Sequence, residues 1–293
     1  MVVRTVDIDG PVVYADHGGD GPSLLLLHGI GGAKVNSMLL APLLTPRFHV
    51  YAMDFPGFGD SPLAGRSADL PPQVEIVARF VAQVCGGAAV LAGHSMGGLV
   101  AMMTAAAHPG AAKGLVLFDP AFPPRAGSPA PVPRAVLDVI SMAPAAFSWA
   151  AALAPRVGGA RAAVVRTLRS TSTKFAGLPA EFIEAHVAAE QARMRRPGAY
   201  LGYLQAWASF RRLYSDLPAL DAMVRSVHAP TLLVHGAEDA VVLPAAARHL
   251  AALQPSWRLE LLEEVGHNPN FEAPELTASL VLDWAREASL SSR

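Results

Sequence analysis

Cysteine is almost absent. Cys85 stands alone in 293 residues, which excludes a disulfide framework and any cysteine-rich zinc or iron–sulfur site. Charge is scarce as well: 16% of the residues are charged, and 23 basic against 24 acidic residues leave a net charge of -1. That balance argues against a nucleic-acid binder held by bulk electrostatics. Long apolar runs are missing too. The most lipid-like stretch, 135–154, is interrupted by Asp138, Ser141, Pro144 and Ser148, whereas a spanning helix wants about 20 nearly unbroken apolar residues. The N-terminus carries acids early (Asp7, Asp9) and no apolar core before a cleavage site, so no signal peptide is expected. The expectation is a cytoplasmic protein without stable membrane insertion. What is plentiful is apolar material: 52% hydrophobic residues can fill a sizeable core and exclude an intrinsically disordered chain. The length suits one large domain, or one domain carrying an insertion.

Residues 2–8 and 12–15 read as strands flanking a hairpin turn at Asp9-Gly10. Short runs at 24–27, 50–53, 88–91, 115–118, 231–234 and 259–262 are apolar at nearly every position, as in strands covered on both faces. Helical patterns lie between and after them, at 74–85 behind Pro71-Pro72, and at 97–107, 244–253 and 274–287. Strand alternating with helix predicts an α/β fold, a mostly parallel sheet with helices on both faces. Residues 122–215 break the alternation. They hold no strand-like run but several helical patterns, among them 180–194 and 200–214, with a Pro-rich hinge at 120–133. An all-helical cap over 122–215, inserted after the sixth strand into a core of 1–121 and 216–293, is the expected organisation.

Gly93-His94-Ser95-Met96-Gly97-Gly98 follows a predicted strand and opens a predicted helix. A serine on so sharp a turn must adopt a strained backbone conformation that lifts its hydroxyl clear of the sheet, a nucleophile elbow. Strand and helix pass closely enough that only small residues fit two positions either side, here Gly93 and Gly97. The helix N-terminus leaves unpaired N–H groups beside the serine, suited to a developing oxyanion. A glycine-rich turn that merely packs is the alternative, and the strand before and helix after argue against it.

Four further motifs accompany the elbow: His28-Gly29-Ile30-Gly31-Gly32, Asp54-Phe55-Pro56-Gly57-Phe58-Gly59-Asp60-Ser61, Gly236-Ala237-Glu238-Asp239 and Gly266-His267-Asn268-Pro269. With these the chain resembles the α/β-hydrolase fold superfamily, its serine esterase and lipase-like branch with a helical cap, over nearly its whole length. The order nucleophile, acid, histidine is the one this fold uses. The resemblance implies a catalytic triad of Ser95, Asp239 and His267. His267 is the base, chosen from ten histidines because of the position the fold reserves for it. Asp239 would hold the imidazole in its tautomer, with Asp119 after the sixth strand as a second contender for the acid. The oxyanion hole is expected from the backbone N–H groups of Met96 and Ile30. His28, Gly29 and His94 are candidate pocket residues beside the site, and Trp149 and Trp207 candidate pocket residues from the cap.

A serine nucleophile argues against relatives that use aspartate at the elbow. His94, Met96 and Asn268 differ from the residues that mark perhydrolases, prolyl aminopeptidases and carbon–carbon bond hydrolases of this superfamily. The expected reaction is hydrolysis of a small-molecule carboxylic ester with a small to medium apolar acyl group, through an acyl-serine intermediate. Carbon–carbon (meta-cleavage product type) and thioester hydrolysis stay open, as does, from another class, a small-molecule receptor or signalling protein that retains the triad. No metal, nucleotide or flavin signature is seen, so no cofactor is expected. The charge is unevenly spread. Residues 122–215 carry eleven arginines and Lys174 against four acids, a net +8, and the remainder a net -9. A basic cap could steer an anionic ester, an acyl-CoA, an acidic acyl carrier or an anionic membrane surface toward the site; its alternative is a set of solvated helix faces.

Overall fold

The computed structural model describes residues 1–123, 158–196, 198 and 200–290. Trp149 and most of the Pro-rich hinge lie outside the described residues. Eight strands form one sheet: β1 (Val2–Asp7), β2 (Pro11–Gly18), β3 (Ser23–Leu27), β4 (His49–Met53), β5 (Ala89–His94), β6 (Ala112–Phe118), β7 (Thr231–Gly236) and β8 (Arg258–Leu262), in the order β1-β2-β4-β3-β5-β6-β7-β8. The hairpin turns at Asp9 and Gly10, both at positive φ. β2 runs antiparallel to β1 and β4, and every later pair is parallel.

The apolar runs become the interior strands because helices cover both faces. Successive leucines of β3 point to opposite sides. Leu25 and Leu27 join Val77, Phe80 and Leu99 in one layer. Leu24 and Leu26 join Leu40, Leu44 and Trp284 in the other. Each such side chain, fully withdrawn from water, contributes about 1.5–3 kcal/mol. The helices are α1 (Ala41–Leu44), α2 (Leu70–Gln83), α3 (Met96–Ala107), α4 (Gly159–Thr171), α5 (Ala180–Arg195), α6 (Leu201–Leu213), α7 (Leu217–Arg225), α8 (Pro244–Leu253), α9 (Pro269–Glu272) and α10 (Pro274–Glu287). Proline stands in the first turn of α2, α8 and α10, where its missing N–H costs nothing. α7 starts where the Asp216 side chain accepts the Ala219 N–H at 3.0 Å.

Among the described residues, the stretch between β6 and β7 is helical: it holds α4 to α7 and no strand. The helical patterns read at 180–194 and 200–214 fall on α5 and α6. No helix among the described residues is long and apolar enough to cross a membrane. The chain leaves β3 for β4 on one side, yet β5 lies on the other. The segments following β3 and β5 therefore part at their carboxyl ends, opening a crevice at the switch point of the sheet. His28 and Ser95 sit there.

Candidate active site

Ser95 occupies the step from β5 to α3 with φ 51° and ψ -114°, a conformation that costs a non-glycine residue about 1–3 kcal/mol. Its backbone is pinned from both sides. The N–H donates to the Phe118 carbonyl at 2.9 Å, and the carbonyl accepts from Gly98 (3.0 Å) and Ala121 (2.9 Å). A Cβ on Gly93 would meet the Gly97 carbonyl oxygen at 2.3 Å, and one on Gly97 would meet the Leu27 oxygen at 2.3 Å. Both glycines are thus demanded by close passage of strand and helix. Gly97→Ala is expected to lower the melting temperature sharply, whereas Gly110→Ala, where an added Cβ meets nothing within 4 Å, leaves it unchanged in thermal unfolding.

The oxyanion candidates flank the serine. Met96 is the first residue of α3, so its N–H has no acceptor within the helix. The loop after β3 presses against the elbow, since a Cβ on Gly29 would lie 3.2 Å from Ser95 Cβ and 3.0 Å from His94 Nδ1. Ile30 follows, half-buried, and Gly31 at φ 73° turns the loop so that the Gly32 N–H reaches the Gly29 carbonyl at 3.0 Å. His28 holds this loop down. Its Nε2 accepts the Phe55 N–H at 3.1 Å, which leaves Nδ1–H to donate to the Gly29 carbonyl at 2.7 Å. Both ring nitrogens are committed to backbone.

His267 and Asp239 meet in the interior. Nδ1 of His267 donates to Asp239 Oδ2 at 2.7 Å, with the residues 5% and 2% exposed. Oδ1 of Asp239 accepts from the N–H groups of Val241 (2.7 Å) and Val242 (3.0 Å). Burial by itself would push the Asp239 carboxyl up, but the hydrogen bond and charge of His267 outweigh it and hold it below the usual range. Asp119, also at positive φ and fully buried, turns the other way. Its Oδ1 accepts the Gly236 N–H at 2.9 Å, and burial together with the Asp239 charge drives its pKa well up. The pKa values of these adjacent carboxyls are thus pushed in opposite directions, Asp239 toward the ionised form and Asp119 toward the protonated one.

His94 is a different kind of histidine from His267. Its Nε2–H donates to the His267 carbonyl at 2.7 Å, and burial with the neighbouring His267 pushes its pKa down to about 3. A ring so reluctant to take a proton is a poor base near neutrality. Ring nitrogens and carboxylates of His94, Asp119 and His267, and of Asp119, His235 and Asp239, gather within 4.8 Å, the spacing of a metal set. In both groups, however, each ring already commits one nitrogen to a protein partner: His94 Nε2 to the His267 carbonyl, His267 Nδ1 to Asp239, and His235 Nε2 to the Val242 carbonyl at 2.8 Å.

α6 lies over the loop after β3: the Tyr203 ring is 3.4 Å from where a Cβ on Gly31 would stand. Trp207 packs edge-on against Tyr203, with ring centroids 6.2 Å apart. Trp149 cannot be placed, as it lies outside the described residues. Three contributors escaped the sequence reading. Lys34 clamps the loops after β3 and β4, bonding Asp54 at 2.9 Å and Asp60 at 2.5 Å. His235 lies 3.4 Å from Asp119 and 3.5 Å from Asp239. Glu272 gathers the backbone around His267. Glu272 follows His267 by five residues, but no local rule gives that spacing a meaning.

Comparison with known proteins agrees with this architecture. The chain is 30% identical over 270 residues to a pimeloyl-[acyl-carrier protein] methyl ester esterase of Aeromonas hydrophila, covering 90% of this chain and 95% of that one. It is 32% identical over 277 residues to the protein of the same name from Aromatoleum aromaticum, covering 90% and 98%. Among solved structures, a bacterial membrane phospholipase A superposes with a TM-score of 0.78 at 28% identity, over 98% of this chain and 86% of that one. The sequence profile of the alpha/beta hydrolase family matches residues 24–280, and the chain belongs to that family.

Proposed function

We propose that the protein is a serine carboxylic-ester hydrolase in which Ser95 is the nucleophile, His267 the base and Asp239 its orienting acid. The observation that carries this reading is the buried 2.7 Å bond from His267 Nδ1 to Asp239 beside a serine held at positive φ. With Nδ1–H committed to Asp239, Nε2 is the nitrogen left to take the Ser95 proton. Attack of Oγ on the ester carbonyl then places negative charge on the carbonyl oxygen. The N–H groups of Met96 and Ile30 stabilise it, in a setting that needs no reorganisation. Collapse expels the alcohol, protonated by His267, and leaves an acyl-serine. Water, activated by the same imidazole, attacks that acyl group and releases the acid. Steady multiple turnover on p-nitrophenyl esters is the expected result; a single round of acylation followed by arrest would mark a receptor instead.

Similarity to the two methyl ester esterases supports an ester of a simple alcohol at the end of an acyl chain, and an acidic acyl carrier as the form in which that chain is presented. Residues 122–215 act as a cap in this reading. Their positive charge suits such a carrier, but not every arginine is free to meet it. Arg161 pairs with Glu184, Arg193 with Glu190, Arg196 with Asp60 and Arg212 with Asp69, while Arg166, Arg169, Arg195 and Arg211 are exposed and in no ion pair with a described residue. For an anionic ester, kcat/KM is expected to fall as salt is raised toward physiological strength, where the screening length is about 8 Å, and a neutral ester is expected to show no change. Neutralising Arg166, Arg169, Arg195 and Arg211 together removes the difference. Equal salt responses in the parent protein would eliminate steering.

A further inference from the structure

Glu272 closes the single turn α9 and is 8% exposed, yet its carboxylate has no part in the proposed reaction. Donors reach it from two directions. From the helical segment, Oε2 accepts the N–H groups of Thr173 (2.7 Å) and Lys174 (3.2 Å) and lies 2.8 Å from the Thr173 hydroxyl. From the loop of the proposed base, Oε2 accepts the Gly266 N–H at 3.2 Å and Oε1 the Asn268 N–H at 3.0 Å. Gly266 and Asn268 are the residues on either side of His267. The link is completed from the opposite side. The Thr171 carbonyl accepts the His267 N–H itself at 2.9 Å and the Asn268 side-chain amide at 2.9 Å.

An ionised carboxylate is the side chain suited to this place. It accepts at both oxygens, with about four lone-pair sites, and offers no donor of its own. An amide would turn an NH2 group toward converging N–H donors and leave at least one of them unpaired, at a cost of about 1–3 kcal/mol. The bonds to Gly266 and Asn268 fix the backbone on both sides of the imidazole, and those to Thr173 and Lys174 tie that backbone to the segment after α4.

We propose that Glu272 is a positioning residue that fastens the His267 loop to the segment Thr171–Lys174, so that the base stands in register with Ser95 only while that segment is docked. The proposal rests on the reading of His267 as the base. It makes the helical segment part of the frame for catalysis as well as a cover over it.

The test compares Glu272→Gln and Thr173→Val with the parent protein and with His267→Ala, using p-nitrophenyl acetate, an ester too small to depend on the helical segment for binding. Kinetics, thermal unfolding and the downfield proton resonance of the His267 Nδ1–H are measured, and His267→Ala identifies that resonance by its loss. Glu272→Gln is expected to lower kcat by about 10–100-fold with KM little changed, the size of effect seen when a group that orients a metal-binding histidine is lost. It should also broaden or abolish the downfield resonance in a protein that still unfolds cooperatively. Thr173→Val, which leaves the imidazole untouched but removes the hydroxyl that lies 2.8 Å from Glu272 and 2.9 Å from the Glu264 carbonyl of the same loop, lowers kcat in the same direction, and adding it to Glu272→Gln brings less than the product of the two effects. A folded Glu272→Gln protein with unchanged kcat and an intact resonance overturns the proposal, as does a rise in KM at constant kcat. If Glu272→Gln fails to fold, Thr173→Val decides: unchanged kcat and resonance overturn it. Hydrolysis surviving in His267→Ala would refute the triad reading, whereas an inactive His267→Ala beside a fully active Glu272→Gln refutes only the positioning role.

Discussion

Ser95→Ala loses fluorophosphonate labelling and about a millionfold in turnover while keeping its fold, because nothing else at the crevice replaces the attacking oxygen. Ser95 is 7% exposed and its side chain is not a helix cap, so the missing hydroxyl removes no structural bond found for it. The backbone strain supplies an independent check. Alanine at φ 51° retains the strain of serine, whereas glycine adopts that conformation freely. Ser95→Gly should therefore be as inactive as Ser95→Ala and unfold at a higher temperature than Ser95→Ala. Mass spectrometry of the labelled peptide and steady-state kinetics check the chemistry. A folded Ser95→Ala protein with near-parental activity would eliminate the mechanism.

Asp239→Asn is expected to cost about 10⁴ in turnover, since an amide facing Nδ1 selects the wrong tautomer of His267. Asp119→Asn should cost far less. Burial and the Asp239 charge push the Asp119 carboxyl toward its protonated form, and an amide of the same shape can still accept from Gly236 through oxygen and donate through nitrogen. The groups facing Asp119 are the Gly236 N–H, His235, Asp239, His94 and His267. The two aspartates also predict opposite dependences of stability on pH. Asp119 keeps its proton in the folded state above the pH at which the unfolded chain releases it. Raising pH past the unfolded value therefore destabilises the parent protein by about 1.4 kcal/mol per unit through this group, up to its folded pKa. Asp119→Asn is free of that penalty, so its melting temperature relative to the parent rises as pH is raised past the usual carboxylate range. Asp239, held low, contributes stability that is present above its unfolded value and is lost as pH falls through the folded one. If Asp119→Asn abolishes turnover and Asp239→Asn spares it, the acid lies after β6 and the assignment is reversed.

Much of this was legible in the residues because local rules govern it. The run at 24–27 is leucine on both faces, and only a strand covered on both sides accepts that. The starts of α8 and α10 were marked by Pro244 and Pro274. Ser95 was legible because Gly93 answers to a clash with Gly97 across a turn the chain itself makes, whereas the clash that demands Gly97 comes from Leu27 on β3 and exists only once the sheet is assembled. The charge excess of 122–215 was legible too, but not its meaning. Arg193 and Arg196 carry the same formal charge as Arg195, yet they are engaged with Glu190 and Asp60.

The sequence by itself determined the alternation of strands and helices, the sharp turn that carries Ser95, and the helical character of the described residues between β6 and β7. Each of these follows from periodicity or from contacts a few residues apart. Only the tertiary structure decided which aspartate faces His267, that His28 has both ring nitrogens engaged by backbone, and that Glu272 joins the His267 loop to residues 173 and 174. Asp119 and Asp239 both follow strands at the same edge of one crevice, 148 and 28 residues before His267. Their difference arises from the direction in which each carboxyl points once β6 and β7 lie side by side, one toward Gly236 and the other toward Nδ1. Hydrogen bonds act over about 3 Å, and chain positions so far apart come within that distance only when the sheet is assembled.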